Sequence, residues 1–522
     1  MNLPKLSLSH FSESPSQTDG SLVTAPSQLL ELPERVIQFG TGAFLRGFAD
    51  FFIDQANRNG RFNGRVVVVQ STNSTRSRPL IEQDGLYTVV VKGIEHRKEV
   101  NEPRVVSAFS RIISSIGQWE QVLDAARQPG IEFIISNTTE VGIRFNEHDK
   151  LRENAPDEFP AKLALMLHAR FNAFNGDPEK GWTILPCELI KNNGDELKRC
   201  VIAYANLWEL GENLINWIET ANTFCNTLVD RIVPGTPASQ EFEDVKQELG
   251  YSDDMLIEAE PYSLWAIQGD SALKEHLGLS EDNPSVVIDE DITSYRELKI
   301  GLLNGGHTLT VPIGFLLGLD TVLDNMRHPG LSTLIHRLLH EEIAPSLPVE
   351  PERAASFADS VMERWKNPNI EHLLLDITFQ STNKMRNRVL LSLYRYYEKF
   401  GQFPPLMAFG FACYLQFMHG VKVKDGTVFG ERDGSLYKIN DMEAEFFYKL
   451  WPQADLSSPR ALRRFVRSVL SRDDLWGRKL NELNGWSTAV SNALFDILTT
   501  SPEQALEKVL GQENIVISDP PS

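Results

Sequence analysis

The sequence predicts an α/β fold: a doubly wound, mostly parallel sheet in the N-terminal part, followed by a mostly α-helical C-terminal part. Three observations support this prediction. An apolar run, a glycine turn and a helical pattern follow one another around residue 40. Unbroken apolar runs that end in polar residues recur before residue 190, as expected for strands that are covered on both faces. After residue 292 the strand pattern thins and helical spacing dominates.

The composition limits the classes of protein to consider. With 522 residues, of which 42% are hydrophobic and 23% charged, the chain suits a globular protein of two or three domains. Its formal net charge of -20 would repel nucleic acid and anionic lipid, so we expect neither as a partner. An anionic ligand would need a locally basic pocket. The cysteines are too sparse for a disulfide framework or a thiolate metal site, which fits a reducing cytoplasm; they are Cys187, Cys200, Cys225 and Cys413.

The chain divides into three predicted segments. Residues 1–30 are rich in Ser, Thr and Pro without an apolar signal region, so we expect a disordered arm. Residues 31–289 are predicted to form a dinucleotide-binding domain, and residues 290–515 a helical substrate-binding and catalytic domain. The nearly uncharged stretch from Ile300 to Leu319 contains Gly305-Gly306 and Pro312, which favours a buried, locally loosened helix over a membrane span.

The first predicted strand, residues 35–39, ends at a glycine turn, Gly40-Thr41-Gly42. The helix predicted after it carries phenylalanines at helical spacing. A strand, a glycine turn and a helix form the entry to a βαβ dinucleotide site, because the missing Cβ atoms let the backbone approach a pyrophosphate. Leu45 replaces the third glycine of the fingerprint, so a purely structural turn is the alternative; Arg46 would meet the pyrophosphate or lie exposed. The predicted cofactor contacts here are Phe39, Gly40, Thr41, Gly42, Ala43 and Phe44.

Three further apolar runs, residues 65–70, 131–135 and 182–186, are predicted to be central strands. In open α/β sheets the carboxyl ends of the strands face the ligand crevice. We therefore predict cofactor contacts at Gln70, Asn137 and Thr138. The strand ending at Gln70 lacks the acidic residue that usually binds the ribose of NAD, so the turn alone specifies the cofactor poorly.

In the predicted buried helix, Lys299, Asn304 and His307 recur at offsets of five and three residues. On an α-helix they would lie near roughly 0°, 140° and 80° of the helical wheel, on one side. A desolvated Lys amine titrates closer to neutrality and can act as a base. The alternative is ordinary: a Lys that snorkels to the surface, an Asn that interrupts the helix and a His that belongs to the core.

Six sequence blocks occur in an order that resembles the polyol-specific long-chain dehydrogenases, the mannitol dehydrogenase family, and its hexuronate branch. The resemblance implies a Rossmann-type N-terminal domain, a helical C-terminal domain, and metal-independent hydride transfer between NAD(H) and a carbonyl. The family signature K-x4-N-x2-H matches Lys299, Asn304 and His307, which implies that Lys299 is the general acid/base and that the other two hold the reacting oxygen. The blocks are RVIQFGTGAFLRGF, FIISNTTEVGI, WTILPCELIKNNGD, NTFCNTLVDRIV, KIGLLNGGHT and ERWKNPNIEH.

The chain departs from the family pattern at two positions. Leu189 stands where the family has a second oxyanion-binding Asn; the candidates to replace it are Asn137, Asn192 and Asn193. Where the family has a Glu three residues before the catalytic Lys, this chain has Arg296, with Glu297 beside it.

The acid end of a hexuronate requires a cation. Arg364 and Lys384 match substrate contacts of the family. Arg386 and Arg388 follow Lys384 in the same basic run and are further candidates to bind the carboxylate, although an exposed, solvated surface is the favoured interpretation of these two charges. Asn226 and Asp230 lie in a family block and are predicted substrate contacts, although a structural Asp230-Arg231 pair is the alternative.

The leading hypothesis is an NAD-dependent oxidoreductase that interconverts D-tagaturonate and D-altronate, as the resemblance to the hexuronate branch implies. NAD(H) is preferred because residues 70–74 lack an Arg or Lys to pair with a 2′-phosphate. The alternatives are D-fructuronate or a polyol as substrate, and a catalytically silent nucleotide-binding protein. The presence of all three signature residues argues against a silent protein. Self-association remains open.

Overall fold

The computed structural model describes residues 3–9, 27–71, 77–138, 142–237, 239–281 and 283–511. The chain divides into two compact units, Met1–Ile292 and Thr293–Ser522. The roles predicted for the two domains, dinucleotide binding for the first and substrate binding with catalysis for the second, stay predictions.

The first unit is built on a six-stranded parallel sheet, in which the strand order reverses at the first strand. The order β5-β2-β1-β6-β7-β8 is the strand order of a Rossmann sheet, whose ligand crevice lies where the order reverses. This confirms the predicted α/β class. The strands are β1 (Glu34–Phe39), β2 (Arg65–Gln70), β3 (Tyr87–Glu95), β4 (Lys98–Val106), β5 (Phe109–Ser114), β6 (Phe133–Ser136), β7 (Thr183–Pro186), β8 (Thr223–Phe224), β9 (Thr227–Asp230), β10 (Ile257–Ala259), β11 (Leu264–Gln268) and β12 (Val286–Asp289).

Both faces of this sheet are covered, as the apolar run in β2 predicted. Val66 and Val68 belong to one hydrophobic cluster, whereas Val67 and Val69 belong to another. Side chains alternate between the faces of a strand, so an unbroken apolar run supplies two cores at once. Two smaller three-stranded sheets, β10-β3-β4 and β12-β11-β9, complete the unit.

The helix predicted after the glycine turn is interrupted at Gly47 and Phe48. A Cβ atom on Gly47 would lie 3.0 Å from Val233, and the Arg231 guanidinium donates to the Gly47 carbonyl oxygen at 2.8 Å. The break in the helix thus leaves a carbonyl oxygen that accepts a hydrogen bond from the buried Arg231. The helices of the unit are α1 (Ala43–Arg46), α2 (Ala49–Arg58), α3 (Arg78–Glu82), α4 (Trp119–Ala126), α5 (Phe159–Ala173), α6 (Asn193–Leu207), α7 (Glu212–Ala221), α8 (Ser239–Leu249) and α9 (Ser271–Leu277).

The prediction of a disordered arm over residues 1–30 is wrong for residues 3–9, and also for residues 27–30, which belong to a 3-10 helix (Ser27–Glu31) with Leu29 buried. Leu6 is fully buried and packs with Leu86, Val105 and Tyr251, while Lys5 forms a parallel bridge with Ser252. One apolar side chain with a pocket to fill outweighs the polar composition around it. Residues 10–26 lie outside the described part of the chain.

The second unit is mostly helical and encloses a single large core. Three of its helical segments are π-helices, π1 (Lys299–Gly305), π2 (Leu338–Ile343) and π3 (Met385–Val389). Within the described ranges, no helix is both long and apolar enough to span a membrane. The α-helices are α10 (Thr293–Leu298), α11 (Gly306–Leu316), α12 (Val322–Arg327), α13 (Pro329–Arg337), α14 (Pro351–Trp365), α15 (Leu374–Ile377), α16 (Ser381–Lys384), α17 (Leu390–Phe400), α18 (Pro405–Phe417), α19 (Ala444–Leu450), α20 (Pro459–Leu470), α21 (Asp473–Trp476), α22 (Trp486–Thr499) and α23 (Pro502–Leu510).

The second unit also contains an antiparallel sheet that the helical pattern did not predict. Its strands are β13 (Lys422–Lys424), β14 (Thr427–Arg432) and β15 (Ser435–Lys438). Two Asp-Gly pairs, Asp425-Gly426 and Asp433-Gly434, join them, and all four residues have positive φ. Asp-Gly is the preferred sequence of a tight hairpin turn whose central residues both need positive φ, so the signal was present in the sequence.

Candidate active site

The glycine turn of the first unit leaves room for a ligand on one side only. Gly40 has φ of +123°, and a Cβ atom there would lie 3.0 Å from the Asn137 carbonyl oxygen. Gly42 has no neighbouring atom within 4 Å of a Cβ position. The first glycine is therefore required by backbone conformation and packing, whereas the second leaves open space beside the backbone, as close approach by a pyrophosphate requires.

The residues around the turn differ in what they can offer a cofactor. The Phe39 side chain is buried and its ring packs on Phe159, so only its main chain is available. Thr41, Ala43 and Phe44 are half-buried. Helix α1 has only four residues, so the turn itself, not a long helix dipole, would hold a phosphate.

The buried carboxyl of Asp50 is linked to the glycine turn through Gln38. The Gln38 side-chain amide donates to the Gly40 carbonyl oxygen and to Asp50 Oδ2, both at 3.1 Å. Burial raises the pKa of Asp50 to about 8. Gln38 Oε1 and Asp50 Oδ1 are buried and have no hydrogen-bond partner among the described residues.

The carboxyl ends of β1 and β6 adjoin, where the strand order reverses. The Asn137 main-chain N–H donates to the Phe39 carbonyl oxygen at 3.1 Å, and its side chain donates to the Cys187 carbonyl oxygen at 2.7 Å. Thr138 donates through its N–H and its hydroxyl to Glu188 Oε1, at 3.0 and 3.1 Å. Burial raises the pKa of Glu188. These bonds hold Asn137 and Thr138 rigidly at the crevice edge.

Gln70 lies at the carboxyl end of the neighbouring strand, where its side-chain oxygen accepts a hydrogen bond from the Ser77 hydroxyl. Residues 72–76 lie between Gln70 and Ser77 and bear on cofactor preference. They lie outside the described ranges.

Arg46 does not face solvent. Its side chain is buried, donates to the Met255 carbonyl oxygen and lies over the Tyr87 ring at 5.3 Å. The predicted exposure of Arg46 is therefore wrong, and its contact with a pyrophosphate stays a prediction.

Two predicted polar contacts of the first unit have structural partners. The Asn226 side-chain amide donates to Asp195 Oδ2 at 3.0 Å and to Gln268 Oε1 at 2.9 Å, which uses both of its hydrogens. Asp230 is buried at the end of β9, and the neighbouring Arg231 donates to the carbonyl oxygens of Gly47 and Glu260. The Asn226 side chain could donate to a substrate only by giving up one of these bonds, but its Oδ1, which accepts from the Asp195 N–H at 3.1 Å, can accept a second hydrogen bond.

Asn193 does not suit the role of the missing oxyanion residue. It is almost fully buried, and its side-chain amide donates to the carbonyl oxygens of Pro186 and Glu188, at 2.8 and 3.1 Å. Asn137 also donates to a main-chain carbonyl oxygen, as described above. Asn192 has a left-handed backbone at the start of α6.

In the second unit, Lys299 and Asn304 lie in π1 and His307 lies in the first turn of α11. The expectation of α-helical geometry is wrong for this stretch. A π-helix has i→i+5 hydrogen bonds, so residues five apart occupy successive turns on nearly the same line. Lys299 and Asn304 therefore align more closely than an α-helix would allow. Both are half-buried, and His307 is 8% exposed.

Glycines let the π-helical segments approach each other. A Cβ atom on Gly305 would lie 3.1 Å from the Arg388 carbonyl oxygen in π3, and one on Gly306 would lie 2.9 Å from the Leu339 side chain in π2. One on Gly301 would lie 2.7 Å from the side chain of Leu347, which follows π2 in the chain. The Gly305-Gly306 pair thus serves close packing around the signature residues.

His307 sits in an aromatic and cationic environment. Its ring lies 4.2 Å from the Trp365 ring and 5.3 Å from the His372 ring, measured between centroids. Burial, followed by the positive electrostatic influence of His372, Arg364, Arg388 and Lys384, holds the pKa of His307 well below its usual range. The imidazole is therefore neutral at pH 7. Its Nδ1 has no hydrogen-bond partner within the described residues.

The cations around His307 come from three helical segments. Arg364 is buried near the end of α14. Lys384 ends α16, and its amine donates to the Ile377 carbonyl oxygen at 2.7 Å. Arg388 in π3 is half-buried, whereas Arg386 is exposed. The charges of the predicted residues Arg364 and Lys384 thus act on His307. Arg388, for which the sequence interpretation favoured the surface, acts on it as well.

Other members of this environment were not singled out from the sequence. Trp365 and His372 both lie in the block ERWKNPNIEH, so that block contained the signal. Glu297, the neighbour of the Arg296 that stands at the position of the family Glu, accepts two hydrogen bonds from Arg395, at 2.5 and 3.2 Å. In the described part of the chain, no group of three or more His, Cys, Asp or Glu side chains is arranged to hold a metal ion.

Comparison with known proteins agrees with this architecture. Residues 34–281 match the mannitol dehydrogenase Rossmann domain, and residues 291–497 match the mannitol dehydrogenase C-terminal domain. The chain belongs to the mannitol dehydrogenase family. Its relatives within the family include the altronate oxidoreductase of Bacillus subtilis (strain 168), which is 39% identical over 92% of this chain and 95% of its own length. The altronate oxidoreductase of Yersinia enterocolitica is 38% identical over 91% of this chain and 96% of its own length.

Two solved structures from more distant proteins have the same fold. The ternary complex of Pseudomonas fluorescens mannitol 2-dehydrogenase with NAD and D-mannitol has a TM-score of 0.70 at 20% identity, covering 98% of this chain and 100% of that one. A substrate-free D-sorbitol dehydrogenase has a TM-score of 0.74 at 20% identity, covering 97% of this chain and 99% of that one. At this identity the two structures support the family fold alone.

Proposed function

We propose that this protein is an NAD(H)-dependent oxidoreductase that interconverts D-tagaturonate and D-altronate. The observation that carries the proposal is that three cations, Arg364, Lys384 and Arg388, lower the pKa of the buried His307, in the helical unit that also holds Lys299 and Asn304. In a chain of net charge -20, a local concentration of cations suits a substrate that carries a carboxylate. Relatives named altronate oxidoreductase, 37–39% identical over most of the chain, support the same substrate.

The chemistry accounts for the three signature residues. A hydride added to the carbonyl carbon leaves negative charge on the oxygen, which needs donors already in place and a proton. Lys299 donates that proton during reduction and accepts it during oxidation. Asn304 donates to the same oxygen through its side-chain amide. His307 is neutral, so one ring nitrogen can donate to the oxygen without competing for the proton that Lys299 supplies.

The first unit is proposed to bind the cofactor, whose nicotinamide supplies or accepts the hydride. The open side of Gly42 fits a pyrophosphate held by main-chain N–H groups of Thr41, Gly42, Ala43 and Phe44. Gln70, Asn137 and Thr138 stand at the carboxyl ends of the strands beside it. We propose NAD(H) over NADP(H), because residues 70–74 contain no Arg or Lys.

We also propose that the protein acts in the cytoplasm. All four cysteines are free thiols with buried side chains, an arrangement compatible with a reducing compartment.

The decisive experiment measures nicotinamide absorbance with purified protein and a small substrate panel. We expect a kcat/KM for D-tagaturonate at least about 10-fold above that for D-fructuronate, the competing hexuronate, and for neutral ketohexoses, with NADH preferred over NADPH. Equal efficiency with a neutral ketohexose, or turnover of D-fructuronate alone, would contradict the proposed substrate. Binding of NADH without turnover of any of these compounds would favour a silent nucleotide-binding protein.

Two lysine variants separate chemistry from binding. Lys299→Ala removes the proton donor, so we expect kcat for D-tagaturonate to fall by about 10²-fold or more, with NADH affinity retained in a fluorescence titration. Lys384→Ala should instead mainly raise KM, because it is proposed to hold the carboxylate equally in ground and transition states. Near-normal turnover and unchanged pH dependence in Lys299→Ala would exclude this lysine as the acid/base.

A further inference from the structure

Two arginines of the same short segment have different environments. Arg386 is exposed, and its guanidinium lies beside Gly477, 3.5 Å from a Cβ position there. Arg388, only two residues later in π3, is half-buried, and its charge lowers the pKa of His307. The positive charge of Arg388 therefore acts on the signature imidazole.

The backbone of Arg388 is held directly against the signature segment. Its carbonyl oxygen lies 3.1 Å from the Cβ position of Gly305, the residue after Asn304. Any side chain at Gly305 would separate the two segments. The base of the Arg388 side chain thus has a fixed position relative to Asn304, as a residue that orients a substrate needs.

The three cations near His307 differ in the bonds they can offer a carboxylate. Lys384 is a point charge that already donates to the Ile377 carbonyl oxygen. Arg364 is 7% exposed, which leaves little of its surface for a ligand in this unit. Arg388 is half-buried, and a guanidinium matches a carboxylate with two parallel N–H···O bonds.

We propose that Arg388 is the specificity-determining residue that binds the terminal carboxylate of the substrate, and that Lys384 assists it as a second cation. The inference rests on the proposed function, because only a hexuronate or its aldonate product has a carboxylate at that end. It goes beyond the family resemblance, which pointed to Arg364 and Lys384.

The test compares Arg388→Leu with Arg386→Leu, which removes the same charge from the same segment at an exposed position. We expect Arg388→Leu to lower kcat/KM for D-tagaturonate by about 10- to 100-fold, the scale of a lost charge-assisted contact, mainly through KM. The calorimetric Kd of D-altronate should weaken by a similar factor. Arg386→Leu should change neither by more than about 2-fold.

A conservative variant keeps the test informative if the leucine variant folds poorly. Arg388→Lys retains the charge but not the paired hydrogen bonds, so we expect a partial loss, between the wild type and Arg388→Leu. Altronate binding that is unchanged in both Arg388 variants, or a fall in kcat with KM unchanged, would overturn the assignment while leaving the proposed function intact. Wild-type protein that neither reduces D-tagaturonate nor binds D-altronate would overturn the proposed function first.

Discussion

Asp50 shows how a single buried residue links the core to the candidate cofactor turn. Gln38 donates both to Asp50 and to the Gly40 carbonyl oxygen, and the pKa of Asp50 is raised to about 8 by burial, against a smaller opposing influence of Gln38 and Arg46. A protonated Asp50 has an O–H group, which can donate a hydrogen bond to a buried amide oxygen such as Gln38 Oε1. At neutral pH the folded protein therefore keeps this carboxyl uncharged beneath the turn.

Stability should consequently depend on pH through Asp50. Between about pH 4 and pH 8 the folded state holds a proton that the unfolded state has released, so the free energy of unfolding falls as pH rises, by at most about 1.4 kcal/mol per pH unit. Asp50→Asn removes this term. In urea unfolding from about pH 5 to pH 8, we expect the free energy of unfolding of the variant to rise relative to that of the wild type as pH rises. Asp157→Asn alters a carboxylate with a largely exposed side chain and serves as the control, which should show no such trend. If the difference in the free energy of unfolding between Asp50→Asn and the wild type does not change with pH, the interpretation is contradicted.

At the scale of elements, the sequence predicted some features well and others poorly, for definite reasons. The apolar run of β2 was read correctly because side-chain alternation is a local property of a strand. The spacing of Lys299, Asn304 and His307 was recognised, but the π-helical hydrogen bonding was not, because it is associated with close packing at glycines, including Gly301, and not with a side-chain period. Arg388 was misinterpreted for a related reason: sequence alone does not show which way a residue of a π-helix faces.

This packing yields a prediction for Gly305→Ala. The added Cβ would lie 3.1 Å from the Arg388 carbonyl oxygen and 3.3 Å from the Ile300 carbonyl oxygen, and main-chain atoms cannot rotate away. We expect π1 and π3 to separate, kcat/KM to fall by about 10-fold or more, and the melting temperature to decrease. Gly330→Ala is the control, because the nearest atom there is the flexible end of Leu506, at 3.2 Å. Unchanged kinetics in Gly305→Ala would show that the close approach does not matter for catalysis.

At the scale of the whole molecule, each unit has its own hydrophobic core, and composition with periodicity was sufficient to predict an α/β part followed by a helical part. The prediction for the N-terminal segment failed because it relied on the average composition of the segment. The first thirty residues were interpreted by their overall Ser and Pro content, although the position of one side chain decides whether a segment docks. Leu6 has a complementary pocket formed with Leu86, Val105 and Tyr251, and no property of residues 1–30 alone reports that pocket.

The N-terminal segment should therefore contribute to stability, in contrast to an arm that could be removed without effect. Leu6 is fully buried and Leu8 is 38% exposed, so the two leucines form a matched pair two residues apart. We expect Leu6→Ala to lower the free energy of unfolding by about 2–5 kcal/mol, and Leu8→Ala to change it by no more than about 0.5 kcal/mol, measured by urea unfolding. The exposed ion pair of Lys5 with Glu82 adds little in either case. Equal effects of the two substitutions would mean that the segment does not dock through Leu6 in solution, and the predicted disordered arm would then include residues 3–9.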